Sequence, residues 1–353
     1  MSEASGATMR ETPETKMAGV PETMRAWVTE DEPGSLRLRT DEPTPRPLGD
    51  EVLVRVDACG LCRTDLHVID RELPQHLEHV VPGHQIVGTV LQRGADAHRF
   101  AVGDRIGVAW LRRTCGRCGP CRSGAENLCQ RSQYTGWDAN GGFAEYAVVS
   151  QAFAYRLRSA IDPVRTAPLL CAGIIGYRAL NRAALPDGGL LGIFGYGSSA
   201  GITAQIAHAR GARVAVSTRG TGNRDRARDA GAVFVGDATA AMPEPLDSAI
   251  VFAPAGDLVP LALRATRPGG TVVLAGIHMT DLPSIRYEFL FGERDLRTVT
   301  ANTRADGEAL FRLAATLELR PAVTEMTFNR IAEAANGLRS GALSGSVVFA
   351  GWD

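Results

Sequence analysis

Short apolar runs broken by turn residues dominate the first part of the chain. Arg25–Thr29, Glu51–Ala58, Gln85–Leu91 and Asp104–Ala109 are rich in β-formers. Signals such as Pro43-Thr-Pro-Arg-Pro47, Pro82-Gly83 and Val102-Gly-Asp104 separate them. Short β-rich runs bounded by Pro, Gly and Asp predict strands joined by irregular loops. Near residue 160 the pattern changes. Helical windows alternate with apolar strands over Thr166–Ala184, Leu190–Phe194, Ser199–Arg210, Arg213–Ser217, Arg224–Ala230, Ser248–Phe252, Leu258–Ala265 and Thr271–Ile277. Such alternation predicts βαβ units and a parallel sheet. The last fifty or so residues predict a helix, an extended segment, another helix and a final strand, Ser346–Ala350. Residues 1–23 carry no aromatic side chain and little periodicity, so they read as a disordered tail, with Met17 or Met24 as alternative starts.

A chain of 353 residues with 44% hydrophobic residues is long for one core and comfortable for two domains. The net charge of −1, from 38 basic and 39 acidic side chains, gives no electrostatic reason to expect nucleic acid or an anionic membrane as partner. No apolar run is long enough to cross a bilayer, and no secretory h-region is present, so a cytoplasmic protein is expected.

Seven cysteines change the picture: Cys59, Cys62, Cys115, Cys118, Cys121, Cys129 and Cys171. An odd number, with four inside fifteen positions, argues against a disulfide framework and for metal ligation. Cys115-x2-Cys118-x2-Cys121-x7-Cys129 lets a tight loop wrap one ion. Four thiolates suit a structural zinc and leave no open position for chemistry. Free thiols, a disulfide pair or a nucleic-acid-gripping zinc ribbon are the alternatives; the last is at odds with the neutral charge.

Three further motifs are individually weak. They are Gly60-Leu-Cys62-Arg-Thr-Asp-Leu-His67, Pro82-Gly-His84-Gln85 and Pro168-Leu-Leu-Cys171-Ala-Gly173. A lone histidine is more often a surface or core residue than a ligand, and a lone cysteine in an apolar run is more often a small buried one. The fourth motif is Gly195-Tyr-Gly197-Ser-Ser-Ala200, which follows the strand Leu190–Phe194 and opens a helix. Strand, glycine turn and helix N-terminus together make a pyrophosphate site. The following strand ends at Ser217-Thr218-Arg219 with no acidic residue to hold ribose hydroxyls; Asp225 is the first. Thr218, Arg219 and Arg224 favour a 2′-phosphate, hence NADP(H) over NAD(H). The bland reading of all three is solvated surface.

Together the motifs, their order and their separations resemble the zinc-containing alcohol dehydrogenases of the medium-chain dehydrogenase/reductase superfamily, from about Met24 to the C-terminus. The resemblance implies an α/β protein: a β-rich GroES-like catalytic domain of about 24–170 and 300–353, and a Rossmann cofactor domain of about 171–299, a doubly wound parallel sheet. It implies two zinc ions, one structural on the four-cysteine lobe and one catalytic on Cys62, His84 and Cys171, whose three donors leave one position open. Asp65 matches the acidic partner of the ligand histidine, Thr64 the hydroxyl that takes the alcohol's proton, and His67 the imidazole that passes it on. Arg63 falls beside the pyrophosphate. Trp110, Leu111, Trp137 and Ile277 match positions lining the substrate pocket, and two indoles suggest a modest apolar slot for primary alcohols or aldehydes. For either indole, ordinary core packing is the alternative.

Two positions depart from the family. Gln85 stands where the family has glutamate, and Ile175 where many relatives have threonine. The resemblance further implies a homo-oligomer, dimer or tetramer. A quinone or enone reductase of the same superfamily is the alternative enzyme, and a non-catalytic zinc-stabilised binding protein the alternative class.

Overall fold

The computed structural model describes residues 19–343 and 345–352. Most of the segment read as a tail therefore lies outside the described residues, as does Met17, and Thr23 already opens the first strand.

The first half is built from β1 (Thr23–Thr29), β2 (Leu36–Pro43), β3 (Glu51–Leu61), α1 (Arg63–Ile69), β4 (Gln85–Arg93), β5 (Arg105–Val108), β6 (Leu111–Arg113), α2 (Gly119–Arg122), β7 (Gln133–Tyr134), β8 (Tyr146–Ser150), β9 (Ala154–Arg156) and α3 (Pro163–Thr166). The second begins with α4 (Ala172–Arg182), β10 (Leu190–Phe194), α5 (Ser198–Ala209), β11 (Arg213–Ser217), α6 (Thr221–Asp229), β12 (Phe234–Gly236), β13 (Leu246–Val251), α7 (Leu258–Ala265), β14 (Thr266–Leu274) and β15 (Asp295–Thr298). The chain closes with α8 (Arg304–Ala314), β16 (Val323–Met326), α9 (Ile331–Ser340) and β17 (Ser346–Ala350).

Two large sheets result. The six-stranded one runs β12-β11-β10-β13-β14-β15, parallel throughout. Numbered within the sheet this is 3-2-1-4-5-6, the order of a dinucleotide-binding domain, whose ligand crevice opens where the order reverses, between β10 and β13. Every residue of β10 is buried, as expected for a strand with helices on both faces. The other sheet runs β16-β17-β3-β4-β5-β9, with β8 on β3. The last strand, β17, pairs antiparallel with β3, so the C-terminus returns to complete the N-terminal sheet. The fold is thus the GroES-like plus Rossmann arrangement, mixed α/β.

The structure alters some expected elements. The single helix expected over Thr166–Ala184 is broken. A 3-10 turn occupies Ala167–Leu170, and Cys171 (φ −128°, ψ −75°) stands outside helical geometry as the N-cap of α4. Pro168 has no N–H to give an α-helical ladder, and the break lets Cys171 leave the helical path. The short strands β12 and β15 carry no alternation of their own and are held by the parallel neighbours they pair with.

Candidate active site

Three elements deliver the cleft residues. Cys62 is the N-cap of α1, at the end of β3. His84 sits just before β4, after Gly83, whose φ is +94°. A Cβ on Gly83 would meet Phe143 Cδ1 at 2.5 Å and its backbone nitrogen at 2.9 Å, so only glycine turns the chain here. Cys171 comes from the break before α4. Cys62 Sγ lies 3.5 Å from His84 Nε2 and 3.9 Å from Cys171 Sγ. In a zinc tetrahedron two sulfurs stand about 3.8 Å apart and a sulfur and an imidazole nitrogen about 3.6 Å. Both separations from Cys62 thus fit such a tetrahedron, and all three donor atoms lie within 4.8 Å of one another.

Asp65 ties these donors together. Its Oδ1 pairs with His84 Nδ1 at 2.9 Å and accepts from the Gly83 N–H at 3.1 Å, and its Oδ2 accepts from the Cys62 N–H at 2.8 Å. With Nδ1–H engaged by the carboxylate, the Nε2 lone pair faces the two sulfurs. Asp65 and His84 are both about 98% buried. The hydrogen bond with Cys171, and then burial, push the Cys62 thiol well above its ordinary range. Two thiols this close cannot both ionise unless a cation joins them, which is the chemistry of a metal donor set.

The lobe makes a second set. The sulfurs of Cys115, Cys118, Cys121 and Cys129 lie within 4.8 Å of one another, with Cys118–Cys121 at 3.4 Å and Cys115–Cys121 at 3.9 Å. The backbone N–H groups of Arg117 and Cys118 lower the Cys115 thiol to about 5. The Cys121 N–H favours a thiolate at Cys118 too, but a hydrogen bond to the Cys121 sulfur keeps its proton and pushes it up to about 11. Backbone amides aimed at sulfur fit a knuckle around an ion.

Thr64 is buried in the first turn of α1, and His67 in its last turn pairs through Nδ1 with Glu72. The Trp110 ring lies 5.4 Å from that of His84, and its Nε1 is buried without a partner among the described residues. Trp137 packs 6.4 Å from Trp110 and donates Nε1–H to the Pro74 carbonyl, and Leu111 is buried beside them. Ile277 is 50% exposed in the loop after β14. Ile175 lies in the first turn of α4.

At the crevice of the parallel sheet, Gly195 has φ +89°, and a Cβ there would strike Ala253 Cβ at 2.7 Å. Gly197 caps α5 with no side-chain bond, and a Cβ added to it meets nothing within 4 Å. The N-terminus of this twelve-residue helix is therefore open to a phosphate. Ala200 is buried against the sheet. Thr218 accepts the Tyr196 N–H at 3.2 Å, Arg224 Nε donates to the Thr218 carbonyl at 3.1 Å, and Arg219 and Arg63 are exposed. Ser217 Oγ is buried with no partner among the described residues, which fits a ribose hydroxyl arriving from a ligand.

Sequence reasoning missed four residues. Arg226 and Arg320 line a cavity of about 170 Å³ with Gly197, Ser198 and Gly201. Arg320 precedes β16, far from any motif, so no local signal marks it. Glu72 and His278 gather on His67; the latter adjoins Ile277 and was open to notice.

These geometries define a zinc-type dehydrogenase. Comparison with known proteins agrees. Residues 49–159 match the alcohol dehydrogenase GroES-like domain and residues 200–316 the zinc-binding dehydrogenase domain. The probable alcohol dehydrogenase AdhA of Mycobacterium tuberculosis is 49% identical over 337 residues, 93% of this chain and 97% of that one. The structure of a cinnamyl alcohol dehydrogenase from Sorghum bicolor superposes with a TM-score of 0.84 at 28% identity, covering 93% and 97% of the two chains. A zinc-binding dehydrogenase from Sinorhizobium meliloti bound to NADP gives 0.83 at 26% identity, covering 94% and 100%. The chain belongs to the zinc-containing alcohol dehydrogenases of the medium-chain dehydrogenase/reductase superfamily. It is an alcohol dehydrogenase acting on small molecules, and neither the reductase alternative nor the binding-protein alternative is favoured. Among the described residues no helix is long and apolar enough to cross a membrane.

Proposed function

We propose that this enzyme moves a hydride between a primary alcohol or aldehyde and NADP(H), with one zinc held by Cys62, His84 and Cys171 and a second by the four-cysteine lobe. The observation that carries the reading is the donor triangle of Cys62, His84 and Cys171, with its two Cys62 edges near tetrahedral values and a buried carboxylate behind its histidine. A zinc ion on these donors would supply Lewis acidity, enough to lower a bound hydroxyl's pKa toward neutrality. The nicotinamide supplies the redox chemistry.

The chain's own residues do the rest. Asp65 holds the His84 ring so that Nε2 stays available. The Thr64 hydroxyl takes the substrate's proton, and His67 passes it toward solvent, since a ring with two nitrogens can accept at one and release at the other. Trp110, Leu111 and Trp137 wall the substrate slot and exclude water, with Ile277 at its rim. Gly195, Gly197 and Ala200 bring the N-terminus of α5 to the pyrophosphate, and Arg63 adds charge nearby. Thr218, Arg219 and Arg224 recognise a 2′-phosphate. A homo-oligomer in the cytoplasm completes the reading.

Cofactor choice is the feature most cheaply tested. Wild-type protein should show a higher kcat/KM with NADP(H) than with NAD(H), and Arg219→Asp should reverse the order by placing an acid where ribose hydroxyls need one. A wild type more efficient with NAD(H) refutes the phosphate assignment.

A further inference from the structure

The lower end of the proton path carries a group of donors, two of which, Glu72 and His278, have no part in the reaction proposed above. His67 stands in the last turn of α1, Glu72 follows five residues later, and His278 comes from the loop after β14 in the cofactor-binding half. One ligand atom from each lies within 4.8 Å of the other two. The two imidazole rings are 4.3 Å apart between centroids, and His67 Nδ1 pairs with the Glu72 carboxylate. We propose that His67, Glu72 and His278 form a third metal site, which takes a divalent transition ion and, when filled, stops proton transfer through His67. The second half of this statement rests on His67 acting as the relay.

The donor chemistry selects the ion. Two imidazoles and one carboxylate suit Zn²⁺, Co²⁺, Ni²⁺ or Cu²⁺, whereas Mg²⁺ and Ca²⁺ prefer all-oxygen sets. No thiolate takes part, which separates this set from the other two. Glu72 and His278 are exposed, so an ion reaches them from solvent without passing through the substrate slot. Three protein ligands leave positions for water, so the ion exchanges with the medium. As the ion binds, it takes the place of the hydrogen-bond proton between His67 Nδ1 and Glu72, which goes to solvent.

The consequence for turnover follows from the ring. A relay imidazole must receive a proton at one nitrogen and release one at the other. With one nitrogen on the ion, only one remains, and no proton crosses the ring. The site also spans the two halves of the molecule, because His278 and His67 are carried on different sheets' surroundings. Excess metal therefore acts as an off-switch at the mouth of the cleft.

The test uses the full-length, zinc-loaded protein. Wild type and His278→Ala are dialysed side by side against micromolar Zn²⁺, and elemental analysis should find one ion per chain more in the wild type. Turnover in the absence of added metal should be the same in both. The added Zn²⁺ that halves turnover should rise about tenfold or more in the variant, as expected on losing a first ligand. Glu72→Gln, which keeps size and removes charge, should also lose the extra ion. Co²⁺ added to the zinc-loaded wild type should give weak visible bands without thiolate-to-cobalt charge transfer. Equal metal content in wild type and His278→Ala, or inhibition unchanged by the substitution, overturns the site. An extra ion that depends on His278 yet leaves turnover intact upholds the site and overturns the stop, and with it the relay role of His67.

Discussion

The two sulfur-rich regions differ in how they are made. In the lobe, four cysteines fall within fifteen positions, mostly half-exposed, and local backbone N–H groups polarise the sulfurs. In the cleft, Cys62 and Cys171 are 109 residues apart and His84 comes from a third place in the chain. Those donors meet only because β3, β4 and the broken helix before α4 converge, and because Asp65 bonds three groups at once. A local site closes on itself and stabilises its own loop. A long-range site inherits its geometry from the core and can leave one corner open for chemistry.

Separate disruption of the two sites should therefore give opposite profiles. Cys62→Ser should lower kcat/KM by about a thousandfold or more, since the donor face is lost, while the lobe keeps its zinc and the melting temperature stays close to wild type. Cys118→Ser should lose the lobe ion and lower the melting temperature by roughly 5 °C or more, while the cleft retains its metal. Elemental analysis, steady-state rates and calorimetry on the same preparations check both. If Cys118→Ser strips the cleft as well, the sites are one cooperative unit and the contrast fails.

A smaller effect probes what organises the cleft. Three donors, the N–H groups of Cys62 and Gly83 and the ring of His84, converge on two Asp65 oxygens. Asp65→Asn puts an amide NH₂ where one of those oxygens was, so two donors face each other in a buried place. Zinc affinity of the cleft or kcat/KM should fall by about 10- to 100-fold, as for other partners of ligand histidines. A variant with wild-type zinc affinity and rate would show that the fold alone sets the ring's orientation.

The same contrast explains what was legible in the sequence. The lobe could be read from spacing alone, because its geometry is local. Alternating strands and helices announced the parallel sheet, and the glycine turn after β10 marked its crevice. Cys62, His84 and Cys171 were unremarkable one by one and stood out only through family resemblance, since contact between them is a property of the folded chain. Arg320 had no signal at all, because the chain between β15 and β16 brings it to α5 from far away. The break at Cys171 was hidden inside an apolar helical pattern. Pro168 is the clue, but proline is also common in a first helical turn.

Gln85 offers the finest test of how the cleft is tuned. Its side chain is buried, its Oε1 abuts Gly60 so closely that a Cβ there would come within 2.7 Å, and its Nε2 has no partner among the described residues. The family's glutamate would place a negative charge behind a donor set whose two thiolates already offset a divalent ion. That charge weakens the hold on whatever occupies the open corner and eases its departure. Glutamine keeps the shape without the charge, so product should leave more slowly, and release rather than hydride transfer should limit turnover. Gln85→Glu is then expected to raise kcat about threefold or more while single-turnover hydride transfer stays unchanged. Deuterated alcohol decides between the steps. A small isotope effect on kcat in the wild type that grows in Gln85→Glu supports slow release. A large effect in the wild type, the same in the variant, means that chemistry limits the rate and that glutamine at this position is neutral.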